Sequence, residues 1–352
     1  MIYSPDWEQL RSRMLAYWNR EAVECCMFSI EVRKPGYQDF SGNFYFDTEK
    51  ATAMHRSRME NTFYFGEAFP QLFPYFGTAG IAEYTGCKPN RVPETTGVDH
   101  WMEDMDEPAA ALLRYCCPEA FEAQKDAIRD LLERSKGEYP VTVTDNAGVM
   151  DALAEVRGTE NLMMDMITDP EFVEAGLQKL LPIYKQTQEE LFQLVENNNG
   201  GSVHGWMQLW APKRLAQMQC DLCVMLSPEM HEQFVMPELE DLCDFLDYSV
   251  YHFDGQEQIR HLDHLLSIKN LNAIQWTPVA GQPKTSAHIP TLQKIQKAGK
   301  NLVLFPEPHE VQTILDNLSS RGLQLVIGGL TSVEDARDMV HLIETHSVDR
   351  KF

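Results

Sequence analysis

The chain has 352 residues, 43% hydrophobic and 24% charged, enough apolar material for a sizeable core and too much for wholesale disorder. Against 30 Lys and Arg stand 53 Asp and Glu, a formal net charge of −23. So acidic a chain is poorly suited to general nucleic-acid or anionic-membrane binding, where basic side chains must neutralise phosphates.

The first residues, MIYSPDWEQLRSRML, have neither the basic start nor the apolar stretch of a secretion signal, and no apolar run approaches the roughly 18 residues of a membrane span. Eight cysteines in a chain this long read as reduced thiols, and a cytoplasmic location is expected. Residues 6–24 then carry apolar positions at three-and-four spacing and predict an amphipathic helix. A short apolar run, 26–30, reads as a strand. Residues 32–140 are rich in Gly, Pro and aromatics before turning helical from 108, and predict a lid region laid over a scaffold.

Beyond 140 the pattern becomes regular. YPVTVTD reads as a strand ending at Asp145, followed by helices over 149–166 and 170–197. Asn and Gly at 197–201 break the chain. Strand and helix patterns then alternate to the end, with helices over 227–246, 255–268, 289–299, 309–320 and 332–346. Strand candidates end near Ile30, Asp145, Trp206, Cys223, Phe253, Trp276, Phe305 and Gly328. Eight such steps separated by helices predict a single-domain α/β chain, a (β/α)₈ TIM barrel over 1–352 with an N-terminal helix and long lid-like insertions.

In such a barrel the site lies at the C-terminal strand ends. Polar residues there are Arg33, Asp145, His204, Asp221, His252, Asp254, Gln275, Glu307 and His309. Asp145 ends an apolar strand, so its carboxylate is either a turn cap or a group aimed into the mouth. His252 and Asp254 flank Phe253, and a period of two turns both to one side. That pair suits a metal ion or a proton relay, with Glu307, His309 or His204 as a third ligand; Asp254 before Gly255 equally suits a turn and cap. Trp206, Trp210 and Trp276 are candidates to line a pocket for a flat or apolar ligand, or to fill the core. Arg33 is placed to meet a carboxylate or phosphate. Cys220 and Cys223 have metal-type spacing but no second pair, and His261 and His264 read as packing residues of an amphipathic helix.

The segments DALAEVRGTENLMMDMITDPEFVEAGL, LSPEMHEQFVMPELE, YHFDG, NAIQWTPVAGQP and GGLTSVEDARDMV, in that order, resemble the uroporphyrinogen decarboxylase superfamily, which includes methyltransferases that work with corrinoid proteins. The resemblance implies the barrel and a homodimer. It also implies a choice of chemistry at the mouth. In the methyltransferases a His-x-Cys-Gly motif and a later cysteine hold zinc; the matching segment here is His252-Phe253-Asp254-Gly255, and the loop 326–329 has no cysteine. A metal would thus be held by His252, Asp254 and Glu307 or His309, a harder donor set than thiolate. In the decarboxylase no cofactor is needed: Asp145 would stabilise a protonated intermediate while Arg33 and Tyr37 meet substrate carboxylates. His204, Trp206, Asp221 and Trp276 complete the candidate substrate contacts. The expected activity is therefore metal-assisted methyl transfer to or from a small substrate, with zinc or another divalent ion and a corrinoid protein as partner. The alternatives are cofactor-free decarboxylation and a non-enzymatic metabolite-binding or corrinoid-partner-binding barrel.

Overall fold

In the computed structural model, described for residues 6–40, 42–77, 79–91, 96–106, 108–144, 146 and 148–351, a largely parallel sheet lies at the centre with helices around it. The strands in chain order are β1 Met27–Arg33, β2 Thr62–Gly66, β3 Pro89–Arg91, β4 Thr96–Val98, β5 Ser202–His204, β6 Leu209–Ala211, β7 Leu215–Met218, β8 Tyr248–Phe253, β9 Ala273–Trp276, β10 Asn301–Leu304 and β11 Leu323–Ile327. The main sheet has the order β2-β1-β11-β10-β9-β8-β7. Every pairing in it is parallel except β1 with β2.

The eight-stranded closed barrel expected from the sequence is met only in part. Among the described residues the sheet ends at β7 instead of continuing round to β1. Residues 141–144 make one isolated bridge, Val141 with Leu72, and β5 pairs antiparallel with β6 in a separate ribbon. The fold is an open, barrel-like α/β arrangement. Within the span expected to be a lid, β2 folds back on β1 as an antiparallel edge strand, and β3 and β4 form a small ribbon. The first helix is Trp7–Trp18, shorter than its pattern suggested: Arg20 takes a positive φ of 53° and turns the chain out of the helix. Among the described residues no helix is long and apolar enough to cross a membrane.

Strand periodicity decides what faces where. Tyr251, Phe253, Ile274, Trp276, Leu302 and Leu304 point outward and join the core under the helices. Val250, Ala273, Val303 and Met27 point inward, where Leu10, Met14, Tyr17 and Trp18 of the first helix close one end together with Trp210. Two residues further along the same inner face come His252 after Val250, Gln275 after Ala273, and Ser29 after Met27. The inner face is therefore apolar at its plugged end and polar toward the C-terminal strand ends.

Candidate metal and substrate site

His252 and Gln275 are paired across β8 and β9, and the inward face they share makes them meet. The His252 Nδ1–H donates to Gln275 Oε1. Gln275 donates in turn to Thr277 Oγ1 at 3.2 Å, which fixes the orientation of its amide. Because the amide oxygen only accepts, the Nδ1 nitrogen carries the proton. Nε2 is left facing Asp254 Oδ1 at 3.1 Å.

Asp254 opens the 3-10 turn Gly255–His261, yet its side chain makes no capping hydrogen bond. Oδ2 accepts from Gln258 Nε2 at 3.1 Å. The carboxylate is thus held between His252 and the Gln258 side chain of the following turn, without capping that turn's backbone N–H groups. Gly255 permits this by adopting a φ of 58°; a Cβ there would lie 2.5 Å from Gln282 Oε1.

Asp221 completes the group from a different element. The sequence pattern allowed a strand to Cys223, but β7 ends at Met218 and Asp221 heads the 3-10 turn Asp221–Met225. Asp151, in the first turn of helix Val149–Arg157, holds that turn in place. Its carboxylate accepts from Asp221 N at 2.9 Å and Leu222 N at 3.2 Å, and from Gln219 Nε2 at 3.4 Å.

Two carboxylates, Asp221 and Asp254, crowd one imidazole, with Asp151 bonded to the backbone of Asp221, and the electrostatics follow. Loss of hydration, then repulsion from Asp151 and Asp254, pushes the Asp221 carboxyl up to about 7, although one edge of the residue reaches solvent. Burial raises Asp151, opposed by its bonds from Asp221 and Leu222. Burial pulls His252 down, but the hydrogen bond and charge of Asp254 outweigh it, and the imidazole sits above its ordinary value. Asp221, His252 and Asp254 each offer one ligand atom, all within 4.8 Å of one another. One nitrogen and two oxygens fit a divalent ion, and the Gln275 bond to Nδ1 is the outer support that a ligating histidine ordinarily has.

The other sequence candidates divide. Arg33 and Tyr37 line a cavity of about 1150 Å³ bounded by residues 33–37, 39–40 and 42–45, by 70–75 and by the 326–331 loop. The Arg33 guanidinium is neutralised within the chain, donating to Asp39 at 2.9 Å and Glu31 at 3.0 Å. Trp206 lines the same cavity, and its ring meets His252 edge-on at 5.6 Å. The cavity and the metal-type cluster are therefore neighbours with Trp206 between them. His204 packs on Trp206 at 5.1 Å. Burial, with His252 adding to it, drives its pKa down to about 3, and its Nδ1 is buried with no hydrogen-bond partner.

Trp276 does not reach the mouth. It is one residue out of phase with Gln275, faces outward, and stacks between Phe253 and His288 in the core. Trp210 is likewise fully buried, against the first helix. Glu307 and His309 do not join His252 either: both are exposed, Glu307 pairs with Lys284, and His309 lies 3.4 Å from Glu307 on the same surface loop. Asp145 lies outside the described residues. Asp151 was missed because an acid in a first helical turn reads as a dipole or cap residue. Only its contacts with a turn 70 residues away reveal its part.

No family model matches the chain, and no curated protein matches it. Among solved structures it is similar to a methyltransferase from Methanosarcina mazei, with a TM-score of 0.62 and 12% identity, covering 96% of this chain and 98% of that one. At that identity the likeness is one of fold alone: the chain shares the backbone architecture of that methyltransferase.

Proposed function

We propose that the protein is a metal-assisted methyltransferase of one-carbon metabolism that acts on a small substrate, with a corrinoid protein as methyl donor or acceptor. The observation that carries this reading is the convergence of His252, Asp254 and Asp221 at the strand ends, on a fold like that of a methyltransferase. When bound there, a divalent ion supplies Lewis acidity that polarises a substrate heteroatom. The chain's own residues do the rest. Asp221, His252 and Asp254 hold the ion, Gln275 fixes the imidazole, and Asp151 fixes the turn that carries Asp221.

Trp206 is one wall of the substrate position, since it touches both the cavity and His252. Arg33 and Tyr37 border that cavity, His204 supports Trp206 as a neutral ring, and Asp145 is assigned the role of orienting a substrate N–H. Decarboxylation stands behind this reading because it needs Arg33 to meet a substrate carboxylate, and Glu31 and Asp39 already occupy that guanidinium.

Purified protein is expected to carry stoichiometric divalent metal, and exhaustive chelation should abolish methyl transfer between a methylated corrinoid protein and small thiol or amine acceptors until metal is restored. The Asp254→Asn variant should lose both metal and turnover. Turnover that survives complete metal removal would end this reading.

A further inference from the structure

The inner face of β7 carries polar side chains that the chemistry at the mouth does not use. Residues two apart on a strand share a face, so Leu215, Gln217 and, just past the strand end, Gln219 follow one another from the plugged end toward the mouth. Residues 143–144 and 146 lie beside β7, on the side where the sheet stops short of closing among the described residues. The chain just beyond them presses on the end of β7. A Cβ at Gly148 would lie 2.1 Å from the Gln219 carbonyl, so a side chain there is excluded.

Between these segments is a cavity of about 20 Å³, whose polar lining includes Asn146, Gln188, His204 and Gln217. Asn146 and Gln217 are only 2% and 8% exposed. Both amide atoms of Asn146, Oε1 of Gln217 and Nδ1 of His204 are buried without a hydrogen-bond partner. Buried polar atoms are ordinarily paired, so four orphans on three residues around one cavity ask for a common partner. Burial lowers the pKa of His204, and Gln217 is close enough to oppose that shift. Even so, neither Gln217 Oε1 nor His204 Nδ1 reaches hydrogen-bond geometry. Polar groups that approach without touching are the usual surroundings of a bridging water.

Size and charge narrow the occupant. A single water needs a cavity of about 10–15 Å³ or more and two to four polar partners, and this one offers enough for one water and little else. Among the described lining residues there is no carboxylate, lysine or arginine, and His204 is neutral. An ion would find no countercharge there. A water oxygen can accept from Asn146 Nδ2, while its two protons go to Gln217 Oε1 and an unprotonated His204 Nδ1.

We propose that this cavity is a binding site for one integral water molecule, held by Asn146, His204 and Gln217, which joins the segment at Asn146 to β7 and sets the amide chain that positions Asp221. Gln217 Nε2 donates to Gln219 Oε1. Gln219 Nε2 donates in turn to Asp221 Oδ1 at 3.3 Å and to Asp151 Oδ2 at 3.4 Å. An amide has its acceptor on one side and its donors on the other, so fixing Gln217 Oε1 fixes the direction of the whole chain. Gln217 and Gln219 are thus positioning residues. The inference rests on hydrogen bonding alone and holds with or without a metal at the strand ends.

The test begins with a metal-free crystal structure of the full chain at a resolution that shows ordered water. One oxygen-sized peak is expected within hydrogen-bond distance of the Asn146, His204 and Gln217 side chains. An empty cavity, a peak that touches only one of the three, or direct bonds among them overturns the inference. Asn146→Leu nearly keeps the side-chain volume, removes both amide atoms and should expel the water. Gln217 and Gln219 are intact in that variant, and their side-chain amide NMR signals should shift as the chain loses its anchor. Asn146→Ser keeps a hydroxyl; it should retain the peak and return both signals toward their wild-type positions. Signals that stay put in Asn146→Leu, or that Asn146→Ser does not restore, overturn the positioning role. The wild-type structure decides on the water even where Asn146→Leu does not fold. None of these measurements involves metal or turnover, so a negative result leaves the proposed function standing.

Discussion

The His252 imidazole is the residue on which the mouth chemistry turns, and its two nitrogens have different jobs. Nδ1 is tied to Gln275, with Thr277 Oγ1 also 3.2 Å away. Nε2 meets a carboxylate oxygen at 3.1 Å. Without a proton or a cation between them, a lone pair would face a lone pair, so the geometry requires one or the other. A bound ion takes the proton's place, and Gln275 then decides whether Nε2 is presented as a lone pair. Replacing Gln275 by Ala should keep the three ligands but free the ring. We expect a loss of about 10–100-fold in divalent-ion affinity, typical of removing such a support, measured by competition against a chromophoric chelator. Unchanged affinity would show that Gln275 does not orient the imidazole.

At the scale of elements, the site depends on connections between segments far apart in the chain. Arg157 is nearly buried at the end of helix Val149–Arg157 and pairs with Asp165 at 2.7 Å. It also donates to the carbonyls of Met102, Glu103 and Met105. One guanidinium thus satisfies three carbonyls of a segment with little regular structure and fixes the helix that carries Asp151. Arg157→Leu leaves Asp165 as an unpaired buried acid and should cost about 3–5 kcal/mol in urea unfolding. A loss under about 1 kcal/mol would match a mere surface pair. The sequence made some of this legible. The alternation of β7 through β11 with helices follows from short apolar runs between capped amphipathic stretches, and the period of two placed His252 and Asp254 on one side of Phe253. The same period, applied to NAIQW, separates Gln275 from Trp276, but only the pairing of β8 with β9 says which of the two faces inward. Asp151 and Arg157 were invisible because most of their partners are backbone carbonyls and N–H groups of other segments, which no side-chain pattern encodes. The antiparallel return of β2 on β1 was hidden for a related reason: TFYFG has no polar alternation, and its edge position is set by tertiary pairing.

For the molecule as a whole, acid should act through buried neutral histidines as well as through carboxylates. Burial, reinforced by Arg58 and Arg56, pushes the pKa of His55 down to about 3, and burial does the same for His204. The His55 ring lies edge-on to Tyr139 at 4.6 Å, and its Nε2 is buried without a hydrogen-bond partner. In the unfolded chain a histidine titrates near 6.5. Between about pH 6.5 and about pH 3 the unfolded state therefore takes up protons that the folded state refuses, and stability falls as pH falls through that window. Above pH 6.5 both states are neutral at these sites and the contribution is fully present. The raised carboxyls Asp151, Glu155 and Glu238 act with the opposite sign, holding protons in the fold as pH rises, so the bare pH profile mixes the two. A variant isolates the histidine. His55→Leu fills the space against Tyr139 without a titrating group, and its unfolding free energy should decline less steeply than that of wild type on going from pH 7 to pH 4.5. At about 1.4 kcal/mol per pH unit the difference in slope accumulates to at most about 3 kcal/mol by pH 4.5. Parallel profiles for the two proteins, followed by urea unfolding at each pH, would mean that His55 takes up its proton without leaving its place in the fold.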